Sequence, residues 1–129
     1  MKKIYINNKI LYIPNQNLLR NLLFPNRETV LNEPSARCLD ALLLSNDDFV
    51  PHKDLYEKGW SGIGKEPSPN TLYQNILLLR KGLKEISDDN VSYIITIPRK
   101  GFYFNKDIKI QYTDKDTDTD TDTDKDKDK

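Results

Sequence analysis

Apolar positions recur along this chain with two different periods, and the change of period marks where strands give way to helices. Up to about residue 32 the apolar runs are short: KIYIN, KILYIP, NLLRNLL and ETVLN, separated by Asn7-Asn8, Pro14-Asn15 and Pro25-Asn26. Loose alternation bounded by turn-forming residues predicts an antiparallel sheet with one packed and one wet face. From Glu33 to Ser45 the spacing becomes helical. Ala36, Cys38, Leu39, Leu42 and Leu43 fall on one side, and Pro34 suits a first helical turn. Phe49-Val50 reads as a short apolar link. A second helix, HKDLYEKGW, follows Pro51, with Leu55 in the core and Trp60 anchoring its end.

The longest periodic stretch is Asn70 to Ile86. Leu72, Ile76, Leu79, Leu83 and Ile86 step by four, three, four and three, which at 3.6 residues per turn is one narrow apolar stripe. The opposite strip carries Asn70, Gln74, Leu77, Lys81 and Lys84. Ser68-Pro69 ahead of it supplies an N-cap and a first-turn proline. Beyond a polar break at Ser87–Asn90 the period returns to two. YIITI, the turn PRKG and FYF form a hairpin over Val91–Asn105, where Gly101 is expected to supply the positive φ of a tight turn. IKIQY, within 106–112, is a candidate for one more strand. The fold class is therefore α+β: an N-terminal antiparallel sheet, three helices and a C-terminal β-hairpin. A helix followed by a strand, a basic turn and a strand is the layout of a winged helix-turn-helix. The Gly- and Pro-rich run Ser61–Pro69 makes an enlarged helix–helix loop.

Charge changes this picture only at the end. The 129 residues carry 20 Lys+Arg and 20 Asp+Glu, yet 8 Asp and 4 Lys fall in TDKDTDTDTDTDKDKDK from Thr113 onward. Residues 1–112 hold 16 basic against 12 acidic groups, a mild positive balance that suits a polyanion. The expected division is a folded domain at 1–112 and a disordered, solvated Asp/Thr/Lys tail at 113–129. A single cysteine, Cys38, excludes an internal disulfide, and with one histidine it excludes a Cys/His metal cluster. Cys38 reads as a small core residue. No apolar run approaches the roughly 18 residues of a membrane span, and the start lacks a signal peptide's apolar region. A cytoplasmic location is the expectation.

Catalytic chemistry has little to stand on. His52, the one histidine, sits at a helix start, where a first-turn surface role accounts for it. Gly62-Ile63-Gly64-Lys65 lacks the spacing of a phosphate-binding loop and follows no strand. No enzyme activity and no cofactor are expected. The outer face of the Asn70–Ile86 helix suits DNA better. Arg80, Lys81, Lys84, Arg99 and Lys100 can neutralise phosphates, which positions a protein without reading sequence. Asn70, Gln74 and Asn75 carry amides that can pair with adenine N6 and N7, Gln74 most centrally. Tyr73 can bond a phosphate or pack against the neighbouring loop.

With LRKGL in the third helix and YIITIPRKGFYF after it, the chain resembles the OmpR/PhoB-type winged-helix DNA-binding domains of bacterial response regulators. Within that family it is most similar to the ToxR/CadC type, in which a basic pair follows proline in the wing, as Pro98-Arg99-Lys100-Gly101 does here. The resemblance covers about residues 4–105 and rests on Trp60, Leu79-Arg80-Lys81-x-Leu83 and IPRKGF. It implies double-stranded DNA as partner, with the 70–86 helix in the major groove and the 98–101 wing on the adjacent backbone or minor groove. It also implies RNA polymerase as a contact of the loop Ser61, Gly62, Ile63, Gly64 and Lys65. Relatives of the ToxR type continue through a membrane span; this chain, without one, reads as the cytoplasmic part of a tethered regulator or as a stand-alone one. No receiver domain precedes it, so phosphorylation control is not expected. Leu77 and Leu78 depart from the family, which often has polar residues there. They suit thymine methyl groups, or contact with a second copy or a helper regulator. The alternative reading is a winged-helix protein-interaction module docking through those two leucines.

Overall fold

The structure is a computed structural model and describes residues 2–45, 47–62 and 67–113. Strands β1 (Lys3–Ile6), β2 (Ile10–Ile13), β3 (Leu18–Asn21) and β4 (Glu28–Val30) form an antiparallel meander. The asparagines between them do what their short polar side chains allow: Asn7, Asn8 and Asn17 all adopt left-handed φ, of 56°, 55° and 52°. A late strand, β8 (Ile110–Thr113), pairs antiparallel with β1, so the sheet order is β4-β3-β2-β1-β8. That strand runs one residue past the boundary drawn from composition, because Thr113 pairs with Lys3.

The inner face of this sheet contributes Ile4, Ile6, Ile10, Tyr12 and Leu19 to the main core. The outer face is not simply wet, as alternation had suggested. Leu11, Ile13 and Leu18 make a second small apolar cluster there, with Tyr5 against it. β2 is accordingly buried at all four positions.

Two of the three helices, the first and the third, lie on the inner face, and the second packs on the first. Helix α1 (Glu33–Leu44) starts at Asn32, whose side chain accepts from the Ser35 amide at 2.8 Å. Cys38 is fully buried, and burial pushes its thiol up to about 12, so it is an inert core group. The Tyr12 hydroxyl, buried beneath α1, donates to Asp40 at 2.7 Å and to the Ala36 carbonyl at 3.2 Å. The predicted link at residues 49 and 50 contributes to a strand, β5 (Val50–Pro51). Helix α2 (His52–Gly59) follows it directly, with Leu55 fully buried and Trp60 half-buried at the C-cap against the core.

Helix α3 (Pro69–Ser87) is capped by Ser68, which accepts from the Thr71 amide at 3.3 Å. All five stripe residues are at most 3% exposed. Burying side chains of this size is worth roughly 1.5–3 kcal/mol each, so the stripe fixes which way the helix faces. The helix ends at Asp88, a left-handed C-cap with φ 59°. Asp89 then gathers Lys9 at 2.9 Å, Ser87 Oγ at 2.9 Å, Tyr93 OH at 3.0 Å and the Val91 amide at 3.1 Å. Burial alone would lift the Asp89 carboxyl; these donors more than offset it and hold it below the usual range.

Strands β6 (Ile94–Ile97) and β7 (Gly101–Phe104) form the hairpin, and β5 pairs with β7 to give a second sheet ordered β5-β7-β6. Here one expectation fails. The left-handed residue of the turn is Arg99, at φ 67°, and not Gly101. Gly101 is required for a different reason: a Cβ on it would lie 2.0 Å from the Val50 carbonyl oxygen, so the crossing of β5 and β7 leaves no room for a side chain.

Candidate nucleic-acid interface

One strip of α3 faces outward, and its members follow from helical spacing. Asn70, Gln74, Leu77, Lys81 and Lys84 are all exposed, and nothing among the described residues bonds or pairs with their side chains. The wing turn lies on the same side of the fold as the flank of α3 that bears Tyr73 and Arg80. Its Arg99 and Lys100 side chains are likewise exposed and unpaired among the described residues. The wing is held in place from below. The His52 amide at the start of α2 donates to the Lys100 carbonyl at 3.2 Å. Beneath the hairpin, His52, Tyr73 and Phe102 form a three-ring cluster with centroid separations of 5.6–5.7 Å.

Two expected DNA contacts are corrected by this geometry. Arg80 is half-buried, and its guanidinium donates through Nε and Nη2 to the Ile94 carbonyl, at 3.2 and 3.0 Å, and through Nη2 to Thr96 Oγ1. It also lies 5.9 Å from the Phe102 ring centroid. Burial lowers its pKa from the ordinary arginine value. Arg80 therefore clamps α3 to the wing instead of presenting a charge to phosphate. Asn75 is only 9% exposed. Its Oδ1 accepts from Ser35 Oγ at 3.0 Å, and its Nδ2 donates to the Thr71 carbonyl at 2.9 Å, so both ends of the amide are engaged within the fold. It joins α3 to α1 and cannot reach a base edge. Tyr73 packs, but on α2 and the wing strand β7 and not on the neighbouring loop as expected. It is 42% exposed, yet its hydroxyl meets His52 Nε2 at 3.2 Å and its ring packs on Phe102.

Asn70, Gln74, Leu77, Lys81, Lys84, Arg99 and Lys100 keep their side chains free among the described residues. Leu77 is 63% and Leu78 51% exposed, an unusual pair on a soluble helix. Leu77 and Leu78 both lie within about 60° of Gln74 and Lys81, one on each side of the line that joins them. In the α2–α3 loop Ser61 and Gly62 are exposed, and the Ser61 carbonyl accepts from Arg37 Nη1 at 3.1 Å. Ile63, Gly64 and Lys65 lie outside the described residues, as does the tail from residue 114. His52, Thr96 and Phe102 belong to the site although sequence reasoning assigned them nothing there. The alternating aromatics of GFYF were the available signal for Phe102. No described helix is long and apolar enough to cross a membrane.

Comparison with known proteins places this geometry. Residues 26–104 match the family described as "Transcriptional regulatory protein, C terminal". Over 106 residues the chain is 37% identical to the uncharacterized protein YqeI of Escherichia coli strain K12, covering 82% of this chain and 39% of that protein. The chain thus spans well under half of that relative's length. Among solved structures, the DNA-binding domain of E. coli CadC aligns with a TM-score of 0.65 at 21% identity, over 78% of this chain and 89% of that one, a likeness of fold. The C-terminal domain of the nisin resistance regulator NsrR, a lantibiotic response regulator, aligns with a TM-score of 0.54 at 28% identity, over 69% of this chain and 84% of that one.

Proposed function

We propose a specific mode of DNA reading for this chain on the premise that it belongs to the family of transcriptional regulatory protein C-terminal domains. It is a winged-helix DNA-binding domain of the OmpR/PhoB type. In the proposed mode the domain comprises residues 1–112, with Thr113 closing its last strand, and α3 enters the major groove of double-stranded DNA. Lys81 and Lys84 meet phosphates, Asn70 and Gln74 meet base edges, and Arg99 and Lys100 straddle the neighbouring backbone or minor groove. The observation that carries this reading is a free strip on α3 whose adjoining flank is clamped to the wing strands through Arg80 and the His52–Tyr73–Phe102 cluster. A cytoplasmic location and a contact between the loop of residues 61–65 and RNA polymerase fit the same reading.

Duplex binding titrated against salt is the test. Replacing Arg99 and Lys100 together by Ala should weaken binding to every duplex and reduce the slope of log K on log salt by about 2, roughly 0.9 per lost phosphate contact. Gln74→Ala should instead blur preference among sequences. If neither variant changes duplex binding, the assignment fails. The exposure of Leu77 and Leu78 favours one second reading, a protein-interaction module with weak DNA affinity of its own. Its signature is salt-insensitive self-association that Leu77→Lys removes.

A further inference from the structure

The half of α3 that leads into the groove carries no free cation. From Pro69 to Leu79 there is no Lys or Arg at all, and the next residue, Arg80, is clamped to Ile94 and Thr96. Recognition helices touch base edges chiefly through their N-terminal part. Guanine is read there by Arg or Lys, bidentate to O6 and N7. This helix therefore brings no guanine reader to the bases, and Lys81 and Lys84 come only a turn or more later, at the height of the phosphates. What it does bring is an amide at Gln74 and, three residues on along the same strip, the exposed side chain of Leu77. An amide pairs with adenine N6 and N7, and an apolar side chain packs on the thymine C5 methyl, the only such methyl group in the groove. Three helical residues rise about 4.5 Å, close to the roughly 3.4 Å between successive bases of a strand. The two side chains thus suit neighbouring base pairs.

We propose that the core of the DNA site is an A·T step, with Gln74 on an adenine and Leu77 against a thymine methyl on the adjacent pair. The exposed leucine is then a base reader and not an unpaired core residue. This inference rests on the DNA-binding mode proposed above and names the sequence class that mode selects.

The experiment uses the whole chain. Duplexes are selected from a random library at low salt, and the bound pool is sequenced. The winning site is then remade with deoxyuridine in place of thymidine, which deletes only the methyl group. Enrichment of A·T steps is expected, with about fourfold weaker binding of the uracil duplex and no such difference for Leu77→Ala, whose shortened side chain no longer reaches the methyl. If no duplex binds, the DNA-binding mode itself falls. Should duplexes bind with a guanine-centred preference or none, or the uracil form bind as tightly as the thymine form, the assignment of Leu77 is overturned while DNA binding stands.

Discussion

The outward strip of α3 and the two flanks that border it, each about 100° round the helix, carry nearly the same side chains and do opposite things. Gln74 and Lys81 stand free on the outward strip of α3, while their sequence neighbours Asn75 and Arg80 are bound into the fold, to Ser35 and to Ile94 and Thr96. Residue type is therefore a poor guide to role on this helix. What decides is angle: each residue turns the side chain by about 100°, so adjacent amides or adjacent cations cannot share a face. The Arg80 flank sets where the wing stands relative to the helix, the Asn75 flank ties the helix to α1, and the strip between them is left free.

The comparison can be broken experimentally. Arg80→Ala should have the largest effect. It removes the charged donor to two wing groups and should cost about 1–2 kcal/mol of stability, at the lower end for a buried charged donor because the group is partly solvated. Duplex affinity should fall for every sequence, because the wing loses its register with α3. Urea unfolding read alongside duplex titration checks both. If Arg80→Ala kept full stability and lost only affinity, Arg80 would belong with the free strip after all. Asn75→Ala should come next, costing about 1 kcal/mol by leaving Ser35 Oγ without its side-chain acceptor, with sequence preference unchanged in the same library selection. Lys81→Ala should be smallest for the fold, within about 0.5 kcal/mol. It should still lower duplex affinity and flatten the salt slope by about 0.9.

Periodicity made much of this architecture legible. The five-residue stripe of α3, the Ser68 cap, the asparagine turns and the order of strands, helices and hairpin all follow from local rules, and each rule needs only neighbours in sequence. What escaped involves partners far apart along the chain. Val50 and Pro51 are too short a run to register as a strand until β7 lies beside them. Gly101 looked like a turn glycine, yet its constraint comes from the Val50 carbonyl, about fifty residues earlier. Asn75 and Arg80 sat at polar positions next to the predicted face. Only Ser35 and the β6 strand, neither predictable from the helix itself, reveal that both are already engaged. The candidate site was thus legible as a strip but not at its edges, where bonding to other elements decides.

The pairing of β1 with β8 bears on the order in which the molecule can be completed. Lys3 and Thr113 are partners, so β1 is flanked on one side by β8, the strand most distant from it along the described residues. Contacts so distant along the chain carry the entropy of closing the whole intervening loop and tend to form late. During synthesis β1 waits with that edge bare, a template for another chain's backbone, until β8 pairs with it. Strand β8 thus acts as a latch on assembly.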